Sequence, residues 1–171
     1  MQNLNRDFSK LTNIETRAVV SVFNDYDVSF YTDLHSTDGM NYQDDVTWCD
    51  NGESGLAPAI HTWLRSELEP ALTEFLKQYN HSPGPCYYAN DNLDPTAGFY
   101  PYLTDGTEYS TNYADHRQIP AYLLEIHSLK PNKQRVLGAY AFLYGIMTVM
   151  ADKAESLAVA IATDQAARIG K

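Results

Sequence analysis

Ala121-Tyr122-Leu123-Leu124-Glu125-Ile126 is the stretch on which the reading of the fold turns. Apart from one carboxylate it is apolar throughout, and a run this short and this apolar reads as a strand buried on both faces. Such a strand needs layers packed above and below its sheet. Glu125 is then the residue to explain, because an ionisable group inside an apolar strand costs several kcal/mol unless it is paired, protonated or bound to a metal. A glutamate at a strand end facing solvent, or bonded to a neighbour, is the plainer account. His127 follows by two positions and falls on the same sheet face, where a surface or core role suits it.

Working upstream, Val28-Ser29-Phe30-Tyr31-Thr32-Asp33-Leu34-His35 is rich in β-branched and aromatic residues and is ended by the turn-forming Ser36-Thr37-Asp38-Gly39. It predicts a second strand that delivers His35 to its C-terminal edge. Asp33 stands beside that histidine, either to orient the imidazole or to solvate the edge. In open α/β sheets ligands gather at the C-terminal ends of strands, so His35 and Glu125 share one address.

Helices fill the intervals. Thr12-Asn13-Ile14-Glu15 has the capping-box pattern, and Ile14, Ala18, Val19, Val22 and Phe23 follow at helical spacing, predicting a helix to Tyr26. From Ala59, the residues Ile60, Leu64, Leu68, Leu72, Leu76 and Tyr79 mark another, which Pro70 should kink or divide. After Lys130-Pro131, Asn132 can cap a long helix to about Met150, with a further one over Ala154 to Ile169. Short strands are expected at Val46-Thr47-Trp48 and Cys86-Tyr87-Tyr88-Ala89, with turns at Asn51-Gly52 and Ser54-Gly55. Gly98 to Tyr113 reads as one aromatic loop. The expected class is α/β, a mixed and mostly parallel sheet sandwiched by helices, in a single domain over residues 1–171.

The chain has 171 residues, 44% of them hydrophobic, enough for one sizeable core. Its 12 Lys and Arg against 22 Asp and Glu give a net charge of −10, which sets like charge against a phosphate backbone and argues against a nucleic-acid partner. The longest apolar stretch, Val136 to Met150, is shorter than the roughly 18 to 20 residues of a membrane span, so no membrane partner is expected either. Met1 to Asp7 carries no basic segment followed by an apolar one, and the compartment stays unassigned. Two cysteines, Cys49 and Cys86, are compatible with one disulfide or two free thiols.

Three short motifs occur in order: Asn3-Leu4-Asn5-Arg6-Asp7-Phe8, Asp33-Leu34-His35-Ser36-Thr37-Asp38-Gly39 and Leu123-Leu124-Glu125-Ile126-His127. Together they resemble the successive motifs of the carboxypeptidase A-like zinc peptidases, from residue 3 to about Met150. The resemblance implies a partial carboxypeptidase-like α/β/α fold and assigns roles. His35 would be a zinc ligand, and Glu125 the general base that takes a proton from the zinc-bound water and returns it to the leaving amine. Asn5 and Arg6 would hold the substrate's terminal carboxylate, with Arg6 also near the oxyanion. Tyr102, Tyr109 and Tyr113 are the candidates for a tyrosine that closes over the substrate; each is equally readable as a packed aromatic. Members of the family are commonly exported.

One part of the family pattern is missing. Its first metal motif, H-x-x-E, precedes the Asn-Arg motif, and none of His35, His61, His81, His116 and His127 has a glutamate three positions on. The expectation is a C-terminal portion of such a catalytic domain with one zinc ligand, the other two belonging upstream, inactive alone and prone to self-association through exposed sheet edges. Two other functions fit the same residues. Aspartoacylase-like zinc deacylases of N-acyl amino acids resemble this chain in their Leu-Asn-Arg and Asp-Leu-His motifs. A non-catalytic module that grips a peptide carboxylate through Asn5 and Arg6 needs no metal.

Overall fold

The computed structural model describes residues 3–50, 56–91, 93–101 and 106–168. The expected turns at Asn51-Gly52 and Ser54-Gly55, and Tyr102, lie outside them. After a short 3-10 turn at Leu4–Arg6 the elements run α1 (Ile14–Asp25), β1 (Tyr31–Ser36), β2 (Val46–Cys49), α2 (Pro58–Trp63), α3 (Glu69–Gln78), β3 (Pro83–Pro85) and β4 (Tyr87–Ala89). Then follow β5 (Phe99–Pro101), α4 (Ser110–His116), β6 (Ala121–Ile126), α5 (Asn132–Asp152) and α6 (Ala154–Arg168). Among the described residues no helix is long and apolar enough to cross a membrane.

Four strands form one sheet in the order β1-β6-β2-β3. β1 and β6 are parallel, β2 and β3 are parallel, and β2 meets β6 antiparallel. This is the mixed, mostly parallel sheet flanked by helices that the strand–helix alternation predicts. β4 and β5 make a separate antiparallel pair.

Period-2 alternation divides the sheet into two faces with different fates. Tyr122, Leu124, Ile126, Val46 and Trp48 turn to one face and join Leu68, Leu72 and Leu76 with Ala141, Phe142 and Ile146 in the main core, so α2, α3 and α5 cover this side. Fully burying side chains of this size contributes about 1.5–3 kcal/mol each. Gly138 and Gly145 let α5 approach closely: a Cβ at Gly145 would lie 2.7 Å from Leu72 Cδ1. The opposite face carries Ala121, Leu123, Glu125, Asp33 and His35. Its N-terminal half is covered by a second cluster of Phe8, Val20, Phe23, Ala114 and Ile119 from α1, α4 and the chain start.

Local detail departs from the sequence reading in three places, and in a fourth, at Pro70, it takes the expected division. The capping box does not form: Thr12 gives its hydroxyl proton and its backbone N–H to Asp7 Oδ1, and Asn13 takes the N-cap position of α1. That carboxylate also accepts the Asn13 N–H, which offsets burial and holds Asp7 well below the usual carboxylate range. The long helix containing Pro70 is divided by a π-helical turn over Leu64–Leu68, where Glu69 N–H reaches five residues back to Leu64 O. The wider turn accommodates a ring that has no N–H to give. Asn132 is the first residue of α5 rather than its cap, which is Pro131. Finally, Gly98 to Tyr113 is not one loop: it holds β5 and the first turn of α4.

Candidate functional site

His35 and Glu125 each sit one residue short of the end of their strand, and the parallel register pairs them directly. Register partners in neighbouring strands are roughly 4.8 Å apart and point to one face. The antiparallel register then pairs Glu125 with Thr47, and Thr47 pairs with Gly84 on β3, so a single row crosses the sheet. Thr47 gives its hydroxyl proton to Glu125 O at 2.9 Å, fixing the backbone beneath the carboxylate. At the end of the row Gly84 has no Cβ, and the Asp44 carboxylate occupies the space one would fill.

Behind the imidazole stands a chain of hydrogen bonds. His35 Nε2 meets Asp33 Oδ1 at 3.0 Å, the two side chains sharing a face by their spacing of two along β1. Asp33 Oδ2 accepts the Ser110 hydroxyl, and Ser110 N–H donates to Asn5 Oδ1 at 2.7 Å. Asn5, 8% exposed, thus ties the chain start to the N-terminus of α4. Hydrogen bonding to Asp33 raises the His35 pKa against the opposing effect of burial, with the charges of Asp33 and Glu125 assisting and Arg6 opposing. Burial raises Asp33, but the bonds from His35 and Ser110 outweigh it and hold that carboxylate low.

Glu125 has the reverse environment. Burial pushes its pKa up to about 7, the His35 charge pulls it back, and the charges of Asp38 and Asp33 push further. Its Oε2 is buried without a hydrogen-bond partner among the described residues. The carboxyl lines a cleft of about 230 Å³ whose walls include Asp38, Tyr42, Asp44, Tyr87, Tyr88 and Phe99. Cys49 and Cys86 line it too and form a disulfide, deciding between the two states open to the sequence. His35 lines a separate cavity of about 290 Å³ with Leu4, Asn5, Phe8 and Val19. The paired residues therefore share a face while opening into adjacent concavities.

Arg6 stacks over the Tyr109 ring, its Cζ 4.1 Å from the centroid, and its Nη1 donates to Asn5 O. Tyr113 lies on α4 and packs against Phe8 and Phe23, a core placement. His127 is 1% exposed and held between two backbone groups: Leu129 N–H donates to Nδ1, so Nε2–H donates to Tyr42 O at 3.0 Å. These partners give it a structural role. Sequence reasoning assigns no site role to Tyr42, Asp44, Tyr87 or Tyr88, while Asp38 falls in the Asp33–Gly39 motif and Phe99 in the aromatic loop. They fall in polar or loop-like stretches without periodicity, and their meeting depends on the register of β2, β3 and β6.

The arrangement supplies a carboxyl able to gain and lose a proton near neutrality and an imidazole oriented from behind by a carboxylate. Nε2 of His35 is taken by Asp33, which leaves Nδ1 as the ring atom for a metal. Among the described residues no group of three or more His, Cys, Asp or Glu side chains stands in a metal-holding arrangement. Comparison of the chain with protein-family models, with curated proteins and with solved structures gives no match.

Proposed function

We propose that Glu125 is the general base of a hydrolase of the zinc metallocarboxypeptidase type, acting on the C-terminal peptide bond of a peptide. One observation carries this reading: Glu125 is the register partner of a carboxylate-backed histidine at the strand tips, its Oε2 lacks a partner among the described residues, and its pKa lies near 7. A general base is most effective with a pKa close to the working pH, since it must both accept and return a proton.

In the proposed step a water oxygen attacks the scissile carbonyl carbon while Glu125 takes its proton. As the C–N bond breaks, the same carboxyl gives that proton to the leaving amine, and Glu125 ends as it began. Arg6, on the His35 side of the row, meets the substrate's terminal carboxylate with its planar fork, at the expense of its stacking on Tyr109. Asn5 acts through Ser110 and Asp33 as a positioning residue, and Tyr109, beside Arg6, is the tyrosine proposed to stand next to the substrate. Zinc, when bound, supplies the acidity of the attacking water. His35 is the ligand proposed for it, and among the described residues no group of three or more His, Cys, Asp or Glu side chains supplies the usual three, so these residues alone are proposed to be inactive.

The test is hydrolysis of blocked dipeptides by the zinc-loaded protein expressed from its full reading frame, wild type against Glu125→Gln. A loss of at least about 100-fold with substrate binding kept is expected. Fully loaded protein that hydrolyses no dipeptide overturns the proposal, and turnover of N-acyl amino acids instead moves the chain to the deacylases. Peptide binding that survives chelation, with no turnover in any form, leaves the non-catalytic module.

A further inference from the structure

The wall of the cleft beside Glu125 has a composition that the hydrolase chemistry does not require. Three acidic residues, Asp38, Asp44 and Glu125, line it, and no Lys, Arg or His is among the described residues that do. Aromatic rings make up much of the remainder. Tyr42 lines the cleft, giving its hydroxyl proton to Tyr87 O at 3.0 Å, with its ring 6.4 Å from that of Phe99. Tyr88 lines it too and packs against the cluster that holds the Cys49–Cys86 disulfide.

We infer that this cleft receives the cationic end of a substrate side chain, a guanidinium or primary ammonium of the arginine or lysine kind. The inference rests on the peptide-hydrolase reading for the molecule that carries the cation, and on the cleft for the cation itself. A cation over aromatic faces is attracted by the ring quadrupoles, and flanking carboxylates add a direct charge term in a site partly removed from water. A small hard cation is a poorer fit, because the carboxylates do not converge into a metal-holding group. They stand around the space rather than at one point of it, as suits a group with a long apolar stem and a charged tip. The volume agrees: about 230 Å³ is below the roughly 300–1,000 Å³ of pockets that take whole drug-sized ligands, and suits one side chain.

Asp44 is placed for this by its neighbours. Its Oδ1 accepts the Ser82 hydroxyl at 2.6 Å, and the rest of its carboxylate fills the space left by the missing Cβ of Gly84. Asp38 and Glu125 line the same cleft, so their negative charges oppose each other across it. A ligand cation would relieve that repulsion, which gives the charged ligand an advantage over a neutral one of the same shape.

The experiment is calorimetric titration of the protein with Nα-acetyl-arginine methylamide and with the citrulline analogue, which has the same shape and no charge. Saturable binding of the arginine probe, at least tenfold weaker binding of citrulline, and a further tenfold loss in Asp38→Asn/Asp44→Asn are expected. Thermal unfolding of the double variant shows that the fold is kept. Equal binding of the two probes, no binding of the arginine probe, or an unchanged affinity in the folded double variant overturns the inference. Arginine binding by the zinc-loaded protein of the full reading frame, with no peptide turnover, would sink the hydrolase reading alone. Turnover that ignores the charge of the terminal residue would sink this one alone.

Discussion

His35 and Glu125, 90 residues apart in sequence, are cross-strand partners in the parallel β1–β6 ladder, and their surroundings drive their protonation in the same direction. Asp33 favours the charged imidazole, and burial favours the neutral carboxyl. Both groups hold protons more tightly than the unfolded chain would.

The sign of the Glu125 contribution follows from this. Its folded pKa, about 7, lies above the reference 4.5, so its contribution to stability is fully present below 4.5 and is lost as pH rises through 7. Glu125→Gln carries no such loss. Urea unfolding of the two proteins should differ little in acid and favour the variant by roughly 2 kcal/mol at about pH 8, allowing for partial solvent screening. A difference that does not change with pH would remove the burial argument.

His35 can be followed directly by the NMR titration of its ring protons. Its midpoint should lie above 6.5, chiefly through the Asp33 hydrogen bond. The stability it adds is fully present below 6.5 and is lost as pH rises through the folded value. Asp33→Asn should lower the midpoint, and Glu125→Gln should lower it by less. An unchanged midpoint in Asp33→Asn would mean that the 3.0 Å contact does not orient the ring.

A buried group away from the site offers a contrast. Asp45 accepts hydrogen bonds from Ser82 N–H and from Gln134 and meets His81 Nδ1 at 2.9 Å, tying α5 to the start of β3. Both side chains of the Asp45–His81 pair are 6% exposed. Asp45→Ala leaves the partners unsatisfied and should cost about 3 kcal/mol in denaturant unfolding. Binding of the arginine probe by the folded fraction should be unaffected; a loss of affinity would mean that Asp45 also shapes the cleft.

What the sequence made legible was local. β6 could be read to the residue because its apolar run starts after Pro120 and stops at His127-Ser128, and β1 announced its end through Ser36 to Gly39. The helices followed from periodicity, with ends within a residue or two. What stayed hidden depends on distant partners. α4 is a seven-residue helix whose first N–H is bonded by Asn5, 105 positions away, so no neighbouring residue signals it. Thr12 looked like a helix cap because the competing acceptor, Asp7, lies in a turn that sequence spacing does not reveal. The cleft wall was invisible for a similar reason: Asp38, Tyr42 and Tyr87 converge only once β2 is placed between β6 and β3.

The disulfide makes a prediction about both stability and binding. Cys49 on β2 and Cys86 beside β4 are 37 positions apart, and closing a loop of that length in the unfolded chain is worth about 4 kcal/mol in the chain-entropy account. Cys49→Ser/Cys86→Ser should lose much of that in urea unfolding. Because both residues line the cleft, the folded double variant should also bind the arginine probe more weakly, by several-fold. Full affinity in that variant would show that the wall is held by β-sheet pairing alone.

The sheet has one further consequence. Among the described residues β1 is paired on one side by β6 and is an edge strand on the other, and Leu34 on it is 50% exposed. An open edge with an apolar side chain is a template for another strand. A second copy of the chain is the readiest source, although a net charge of −10 opposes the approach. The two effects separate by ionic strength: salt screens the repulsion over distances beyond about 10 Å at 0.1 M and leaves the strand edge as it is. Sedimentation should therefore show association that strengthens with salt, and Leu34→Lys, which puts a charge on the edge, should weaken it. A chain that stays monomeric at every salt and protein concentration would mean that the edge is protected, and the expectation of self-association would be abandoned.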